Sequence, residues 1–314
     1  MPCDALRWDN SFVRLGVHLP LADFGDGPLT AEDLGDYTRA ARELGYTTVS
    51  ANDHLVWRLP WLDGPTALAS VASSSGDMVL ATSIALPVVR HPVVVAKMLT
   101  TLATLADGRV VGGLGPGSSR ADYDAVGVPF EQRWARFDEA IRTVRALVRG
   151  EPAGEASFYP THPDLMPRPD PPPQVWFGSW GSDRRIAATV AVADGWFASA
   201  YNATPTQYGE TRTRLDMHLR AAGRDPATFP DAVATTWLYI TEDRREAEHV
   251  LVDVLSPALN RDPDLLAHLP IGSAAHCAEV LAEYAAAGAR EVLLWPVRDG
   301  VRQLELCSAA ASSL

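Results

Sequence analysis

The sequence predicts an α/β fold, a (β/α)8 barrel with an insertion between the fourth and fifth strands. About eight short apolar runs recur along the 314 residues, and helical patterns lie between them. Continuous apolar runs are typical of parallel strands that are buried on both faces. Eight alternating strand and helix units suit a chain of this length when the sheet closes into a barrel. An open, doubly wound sheet is the alternative.

Each predicted strand is a short run rich in β-branched, aromatic or other apolar residues. The runs are Val13–Pro20, Thr47–Asp53, Met78–Pro87, Arg109–Leu114, Gln174–Gly181, Gly195–Ala200, Ala232–Ile240 and Glu291–Val297. In a barrel of this kind the functional residues lie on the loops that follow the strands. We therefore examine the residues at the carboxyl end of each run.

Between the strands, apolar residues recur every three or four positions, which predicts helices that pack one face on the barrel. The predicted helices cover Ala31–Gly45, a segment that begins at Pro92 and places Val95, Leu102 and Leu105 inward, Glu131–Arg149, Arg184–Ala193, Pro205–Ala222, a segment capped by Thr241, and Ala278–Ala287. The stretch from Trp57 to Pro65 is predicted to be a long loop.

Residues 150–173 interrupt this alternation, because their many prolines are incompatible with a helix or an interior strand. We interpret them as an insertion loop within one domain that spans residues 1–314. Long irregular loops of this kind are usually lids or linkers.

Charge and composition exclude several classes of partner. The net charge of −12 repels polyanions, so we expect neither nucleic acid nor a membrane as partner, and a small molecule as substrate. The first residues lack the apolar core of a secretory signal, so we expect a cytoplasmic protein. Three widely spaced cysteines predict no disulfide framework and no metal site.

The stretch GRVVGGLGPGSS, residues 108–119, places several glycines after the fourth strand. It fails the dinucleotide fingerprint, because the third glycine is replaced by Ser118 or Arg120, and it lacks the lysine of a phosphate-binding P-loop. What remains is a strand end without side chains, which either forms a plain turn or lets the backbone approach a flat ligand.

Three further loops carry candidate residues. Asp53 and His54 follow the second strand, where a carboxylate and an imidazole are suited to proton transfer. The turn Gly178–Ser182 precedes a helix and offers amide and hydroxyl groups to an anion. His18, Trp57 and Trp180 are candidate substrate contacts. A metal-dependent hydrolase has only His18 in its favour, and no serine-hydrolase elbow occurs.

Taken together, LGVHLP, ANDHL, ATSIALPVVRHPVVVAKMLTTLATLADGRVVGGLGPGSS and AVADGWFAS resemble the bacterial luciferase-like flavin-dependent oxidoreductases. The resemblance runs from about Val13 to Val297. It implies a flavin or deazaflavin ring across the barrel mouth and a homodimer. It places a non-proline cis peptide at Ser83-Ile84 behind the ring, Gly115, Pro116 and Gly117 beside it, and the phosphate at Gly178, Ser179, Gly181 and Ser182.

The resemblance also bears on the cofactor. Members that use FMN tend to have Glu-His-His after the second strand and an arginine at the position of Val94, whereas deazaflavin-dependent members usually have Asp-His, as here. We therefore favour coenzyme F-420, a deazaflavin, over FMN. The sugar-phosphate dehydrogenases of the family carry an acid at the position of Ser118, which argues against that substrate.

The expected function is therefore hydride transfer to, or oxygenation of, a small organic substrate, with Asp53 and His54 contacting the ring or relaying a proton. An FMN-dependent enzyme would need a separate flavin reductase, because the chain has no nicotinamide fingerprint. A non-catalytic flavin-binding protein on the same barrel is the alternative from another class.

Overall fold

The structure, a computed structural model, describes residues 13–27, 29–160 and 163–311. Eight parallel strands form one closed ring in the order β1-β2-β3-β4-β5-β6-β7-β9, because β6 pairs with β7 and β9 pairs with β1. The strands are β1 Arg14–His18, β2 Thr48–Ala51, β3 Val79–Ala85, β4 Val110–Leu114, β5 Gln174–Gly178, β6 Gly195–Ser199, β7 Asp231–Ile240 and β9 Glu291–Pro296; the short β8, Ile271–Gly272, pairs with β7 outside the ring. The predicted (β/α)8 barrel is confirmed.

Helices surround the ring and bury their apolar faces against it. They are α1 Ala31–Glu43, α2 Gly64–Ser70, α3 Pro87–Arg90, α4 Pro92–Leu105, α5 Arg120–Ala125, α6 Arg133–Arg149, α7 Asp183–Val192, α8 Pro205–Ala221, α9 Arg244–His249, α10 Ser256–Leu259, α11 Ala274–Ala286 and α12 Gly300–Ala311. A π-helical segment, Val250–Leu255, connects α9 to α10, and 3-10 turns occupy Phe130–Gln132, Pro226–Thr228 and Pro263–Leu265.

Several predicted helix boundaries are wrong for identifiable reasons. Thr241 does not cap α9; the Asp243 carboxylate accepts the Arg245 and Glu246 N–H groups instead, so the helix begins at Arg244. On α4 the inward face includes Val95 and Leu102, but Leu105, in the last turn, is 59% exposed.

Several helices were not predicted from the sequence, among them α2, α3, α5 and α12. In the Trp57–Pro65 stretch, Asp63 caps α2 by accepting the Thr66 N–H, and that helix begins at Gly64. In addition, α11 begins at Ala274, four residues before the predicted start, because Ser273 caps it.

The segment between α6 and β5 is fixed to the barrel by one buried carboxylate. Glu139 on α6 accepts the backbone N–H groups of Ser157, Phe158 and Tyr159 at 2.6–3.1 Å. Burial alone would raise the pKa of Glu139, but these backbone hydrogen bonds outweigh it and hold the pKa below its usual value. Among its described residues, 151–160 and 163–173, the segment contains no helix or strand.

Two layers of core hold the architecture together. Inside the ring, a small cluster includes Trp176, Phe197 and Leu293, while a larger core lies between the ring and the helices. Cys277 and Cys307 are buried, unbonded fillers, whereas the predictions for Cys3 and the first residues lie outside the described part of the chain. In the described ranges no helix is both long and apolar enough to cross a membrane.

Candidate active site

A cavity of about 250 Å³ opens at the carboxyl ends of the barrel strands, and we call it the mouth cavity. Barrels of this class carry their sites at this end. Its walls come from residues of strands β3, β5, β6, β7 and β9 and from the segments that follow β2, β3, β4, β5 and β6. The lining residues that the sequence predicted are Asp53, His54, Trp57, Ser83, Ile84, Pro116, Gly117, Gly178, Ser179 and Trp180. Gly115, Gly181, Ser182 and His18 are not among the lining residues.

His54 is held by a buried carboxylate that the sequence analysis missed. Its Nδ1 lies 2.8 Å from Asp122 Oδ2, and the two side chains are 14% and 1% exposed. The second oxygen of Asp122 accepts the backbone N–H groups of Leu55 and Val56, both at 2.8 Å. The carboxylate therefore keeps the proton on Nδ1 of His54, and Nε2 is the ring nitrogen left for a bound molecule.

Asp53 lines the cavity and is hydrogen-bonded to three groups of the neighbouring loop and helix. Its carboxylate receives two hydrogen bonds from the Arg90 guanidinium, each 2.7 Å, and a third from the Leu86 N–H at 3.1 Å. Arg90 also binds Asp63. Burial alone would lower the pKa of Arg90, but the two carboxylates raise it. Asp53 is therefore engaged in a bidentate ion pair that fixes the loop before His54.

The floor of the cavity lies at the end of β3. The Ser83-Ile84 peptide is cis, as the resemblance implied, and the pairing of β3 with β4 shifts register between Thr82 and Ala85. The neighbouring glycines make room for Ile84: a Cβ on Gly115 would lie 2.0 Å from its Cδ1, and one on Gly178 would lie 2.7 Å from its Cγ2. Gly115 thus shapes the floor from behind, without lining it.

The turn before α7 combines lining and supporting residues. Ser179 Oγ accepts the Trp196 indole N–H at 3.1 Å, and Gly181 adopts φ +81° with Thr211 directly beside it. Ser182 is the N-cap of α7 but makes no side-chain cap hydrogen bond. Its hydroxyl and the first N–H groups of the helix are suited to an anion that reaches this end of the cavity.

Four tryptophans line one side of the cavity, and we call Trp57, Trp61, Trp237 and Trp295 the indole wall. Trp176, on β5, lies outside the indole wall and contacts Phe197 in the interior core. Trp180, a predicted substrate contact, lies at the rim of the cavity and is 64% exposed.

His18 supports the indole wall from beneath. Its ring stacks on Trp295 at 3.4 Å, its Nδ1 lies 2.8 Å from the Leu19 carbonyl, and its Nε2 accepts the Asn52 N–H at 2.9 Å. Complete burial lowers the pKa of His18 to about 3, although the hydrogen bond to Leu19 acts in the opposite direction. The imidazole is therefore neutral, and both its nitrogens are occupied within the protein. The structure does not support direct contact with substrate.

A small cluster of polar side chains lies at β6 and β7. Ser199 Oγ lies 2.6 Å from Thr235 Oγ1, and the Asn202 amide donates to Ser199 at 3.2 Å. Thr235 has φ +55°, an uncommon conformation for a β-branched residue, at the point where β7 and β9 shift register. Hydroxyl and amide groups thus face the same cavity as the indole wall.

The comparisons with known proteins agree with this geometry. A sequence model of the luciferase-like monooxygenases matches residues 14–262. The chain belongs to this family. The barrel also superimposes on a solved "F420-dependent secondary alcohol dehydrogenase" with a TM-score of 0.81 at 18% identity, covering 95% of this chain and 98% of that one, a likeness that concerns the fold alone.

Curated relatives of this luciferase-like chain include an "F420-dependent glucose-6-phosphate dehydrogenase" of Beutenbergia cavernae, 36% identical over 230 residues, or 70% of this chain and 65% of that protein. Another is an "F420-dependent hydroxymycolic acid dehydrogenase" of Mycobacterium tuberculosis, 32% identical over 209 residues, or 62% of this chain and 55% of that protein. The alignments span less than two thirds of either relative.

Asp122 is the main functional residue that the sequence did not reveal. It lies 68 positions from His54, so no local spacing connects the two. A signal was present: Asp122 follows the Gly115–Gly117 loop, and residues after strand ends meet at one end of a barrel.

Proposed function

We propose that the protein is an oxidoreductase that binds the deazaflavin coenzyme F-420 in the mouth cavity and uses it on a small organic substrate. The observation that carries the proposal is that Ser83, Ile84 and His54, whose imidazole is held by Asp122, line the same cavity. The names of the curated relatives support the choice of cofactor.

The residues present fit such a ring. Asn52 Oδ1, Ser83 Oγ and the indole nitrogens of Trp57 and Trp61 are buried, belong to lining residues and have no hydrogen-bond partner in the described structure. An unpaired buried polar atom costs about 1–3 kcal/mol, so these atoms indicate that a bound molecule completes the site. A deazaflavin ring has both donors and acceptors on its edge, next to a large apolar face.

The bound coenzyme supplies hydride chemistry, and the chain supplies position and proton transfer. Ser83, Ile84, Pro116, Gly117 and Gly178 would hold the ring. Gly115 and Gly181 would shape the backbone around it, while Ser179 and Ser182 would face the phosphate at the start of α7.

His54 Nε2 would take the proton from a substrate hydroxyl, or return it to a carbonyl oxygen, while Asp122 stabilises the ring in either state. Asp53 would act by fixing this loop through Arg90. A non-catalytic flavin carrier would not require the His54–Asp122 pair, because it transfers no proton.

Other parts of the expected function stay proposals. We propose that the protein is a cytoplasmic homodimer, and that a separate flavin reductase would serve it if FMN were the cofactor and oxygenation the reaction. Val94 stands at the position where FMN-dependent members tend to have an arginine, which favours F-420.

Titration of the apo-protein with F-420 and with FMN, followed by cofactor fluorescence, tests the proposal. We expect F-420 to bind more tightly; binding of FMN alone would contradict it. In His54→Ala, turnover should fall at least about 100-fold with little change in cofactor affinity. His249→Ala, an exposed histidine on α9 paired with Asp253, is the matched control and should keep wild-type turnover.

A further inference from the structure

The indole wall is a continuous apolar surface. Trp57 and Trp61 lie 5.5 Å apart between ring centres, Trp61 meets Trp295 edge-on at 5.5 Å, and Trp295 stacks on Trp237 at 3.8 Å. Edge-to-face and stacked pairs of this kind stabilise one another and bury large apolar areas. The wall is therefore suited to a flat or cyclic apolar group.

Neighbouring side chains hold the wall in place from behind. Trp295 stacks on the neutral, fully buried His18, and Phe24 contacts Trp237 edge-on at 5.5 Å. Rings fixed by such packing lose little side-chain entropy when an apolar molecule binds to them, so contact with the wall is favourable.

Polar groups on the wall are few and are grouped near His54. The imidazole lies 4.3 Å from the Trp57 ring and 5.1 Å from the Trp61 ring, between ring centres. The two indole N–H groups have no partner in the described structure, and His54 Nε2 is an acceptor while Nδ1 keeps the proton. Two donors and one acceptor match a single hydroxyl, and the carbonyl oxygen of the corresponding ketone would accept from the same donors and from a protonated Nε2.

The cavity walls carry few charged side chains. Of the described lining residues, the carboxylate and guanidinium side chains are those of Asp53 and Arg133, and Asp53 is paired with Arg90. The Arg133 guanidinium lies 4.1 Å above the Phe130 ring and donates to the Phe130 carbonyl at 3.2 Å.

Arg133 also lies on the side of the barrel opposite Trp295, because it follows β4, which is four strands from β9 in either direction around the eight-stranded ring. Beside the cavity, the Arg261 guanidinium lies 4.3 Å over the Tyr201 ring and donates to Asn202 at 3.1 Å, on the β6 side and not on the indole wall. A phosphate seated on the indole wall itself would have no lining cation as partner, and burying an unpaired anion costs several kcal/mol.

We infer that the substrate is an uncharged ketone or secondary alcohol whose carbon substituents are apolar and ring-sized, and that it is not a sugar phosphate. The inference rests on the proposed function and names the substrate class of the same site. In the alcohol direction, the carbinol carbon loses a hydride to the oxidised deazaflavin, and the hydroxyl proton goes to His54 Nε2, leaving the ketone. This class differs from the glucose 6-phosphate in the name of the Beutenbergia relative.

The test compares 1-phenylethanol, cyclohexanol and glucose 6-phosphate with the F-420-loaded enzyme, following loss of oxidised cofactor absorbance. We expect kcat/KM for an apolar alcohol to exceed that for glucose 6-phosphate by at least about 100-fold. Trp61→Phe and Trp57→Phe keep a ring and lose the N–H, and should each raise KM about fivefold to tenfold. Trp176→Phe, whose indole N–H is bonded to Gln174, is the matched control and should leave KM unchanged.

Calorimetric titration with acetophenone and with glucose 6-phosphate, without and with cofactor, separates this inference from the proposed function. If no deazaflavin binds, the proposed function fails, yet preferential binding of acetophenone still supports the substrate class. Equal or better binding or oxidation of glucose 6-phosphate overturns the inference. So does binding of the cofactor without binding or turnover of any apolar compound.

Discussion

Asp122→Asn is the substitution that tests the His54 dyad most sharply. In the native protein, Oδ2 of Asp122 accepts from His54 Nδ1, and Oδ1 accepts from Leu55 and Val56. An amide has one oxygen and one NH₂ group, so it cannot accept on both sides. If the oxygen stays with the two backbone donors, the NH₂ faces Nδ1, and the proton must move to Nε2.

The expected loss can be worked out from this geometry. A hydrogen bond to a charged group contributes about 1.5–3 kcal/mol, and solvent screens this pair little because Asp122 is 1% exposed. Moving the proton also removes the Nε2 acceptor, and general base catalysis is typically worth about 100-fold to 10,000-fold. We expect kcat to fall at least about 100-fold while the Kd of the cofactor changes less than about threefold.

The assay is steady-state turnover with F-420, together with cofactor titration and thermal unfolding. Asp122→Glu, which keeps both acceptor oxygens, should restore much of kcat. Asp124→Asn makes the same charge change two residues later on an exposed part of the same helix and should behave as wild type. Wild-type kcat in Asp122→Asn, or a uniform loss in cofactor binding and stability without a specific loss of kcat, would refute the reasoning.

Three further substitutions follow from the packing and charges. Glu139→Gln should lower the free energy of unfolding, measured by denaturant unfolding, by about 1–3 kcal/mol at pH 7. The pKa of Glu139 is lowered in the folded state, so its stabilising contribution is present above the unfolded pKa and is lost as pH falls through the folded pKa. The difference in stability between Glu139→Gln and wild type should therefore shrink in acid. Gly115→Ala places a Cβ 2.0 Å from Ile84 Cδ1 and should weaken cofactor binding at least about tenfold. Adding Ile84→Val removes that methyl group and should restore binding. An unaffected Kd in Gly115→Ala would show that the ring does not bind at the floor. Asp53→Asn leaves the partly buried Arg90 with one carboxylate and should cost about 2–3 kcal/mol of stability. A loss in kcat without a loss in stability would instead indicate that Asp53 takes part directly in the chemistry.

The barrel was predictable because its signal is distributed over many residues. Each strand of the ring is an apolar run, and α6 repeats Phe137, Ile141, Val144 and Val148 at helical spacing, so errors at single positions do not change the fold. Boundaries depend on single hydrogen bonds, such as those of Asp243 and Ser273, and these were the less accurate part.

The candidate site was only partly predictable for a related reason. His54, Ser83 and Gly117 follow strand ends and reach the mouth cavity as expected. The Asp53–Arg90 and His54–Asp122 pairs are tertiary contacts, and the sequence cannot show whether a carboxylate faces the cavity or a neighbouring guanidinium. His18 was misread because complete burial, which decides its neutrality, depends on Trp295 at the other end of the chain.

The central claim is that the floor at Ser83-Ile84 receives the ring of a deazaflavin, and a crystal structure of the protein with F-420 tests it most directly. The account predicts ring density against Ile84 and Gly117, with the substrate side open to His54 and the indole wall. A cofactor bound outside the mouth cavity, or a ring separated from Ile84 and Gly117 by another part of the protein, would contradict it.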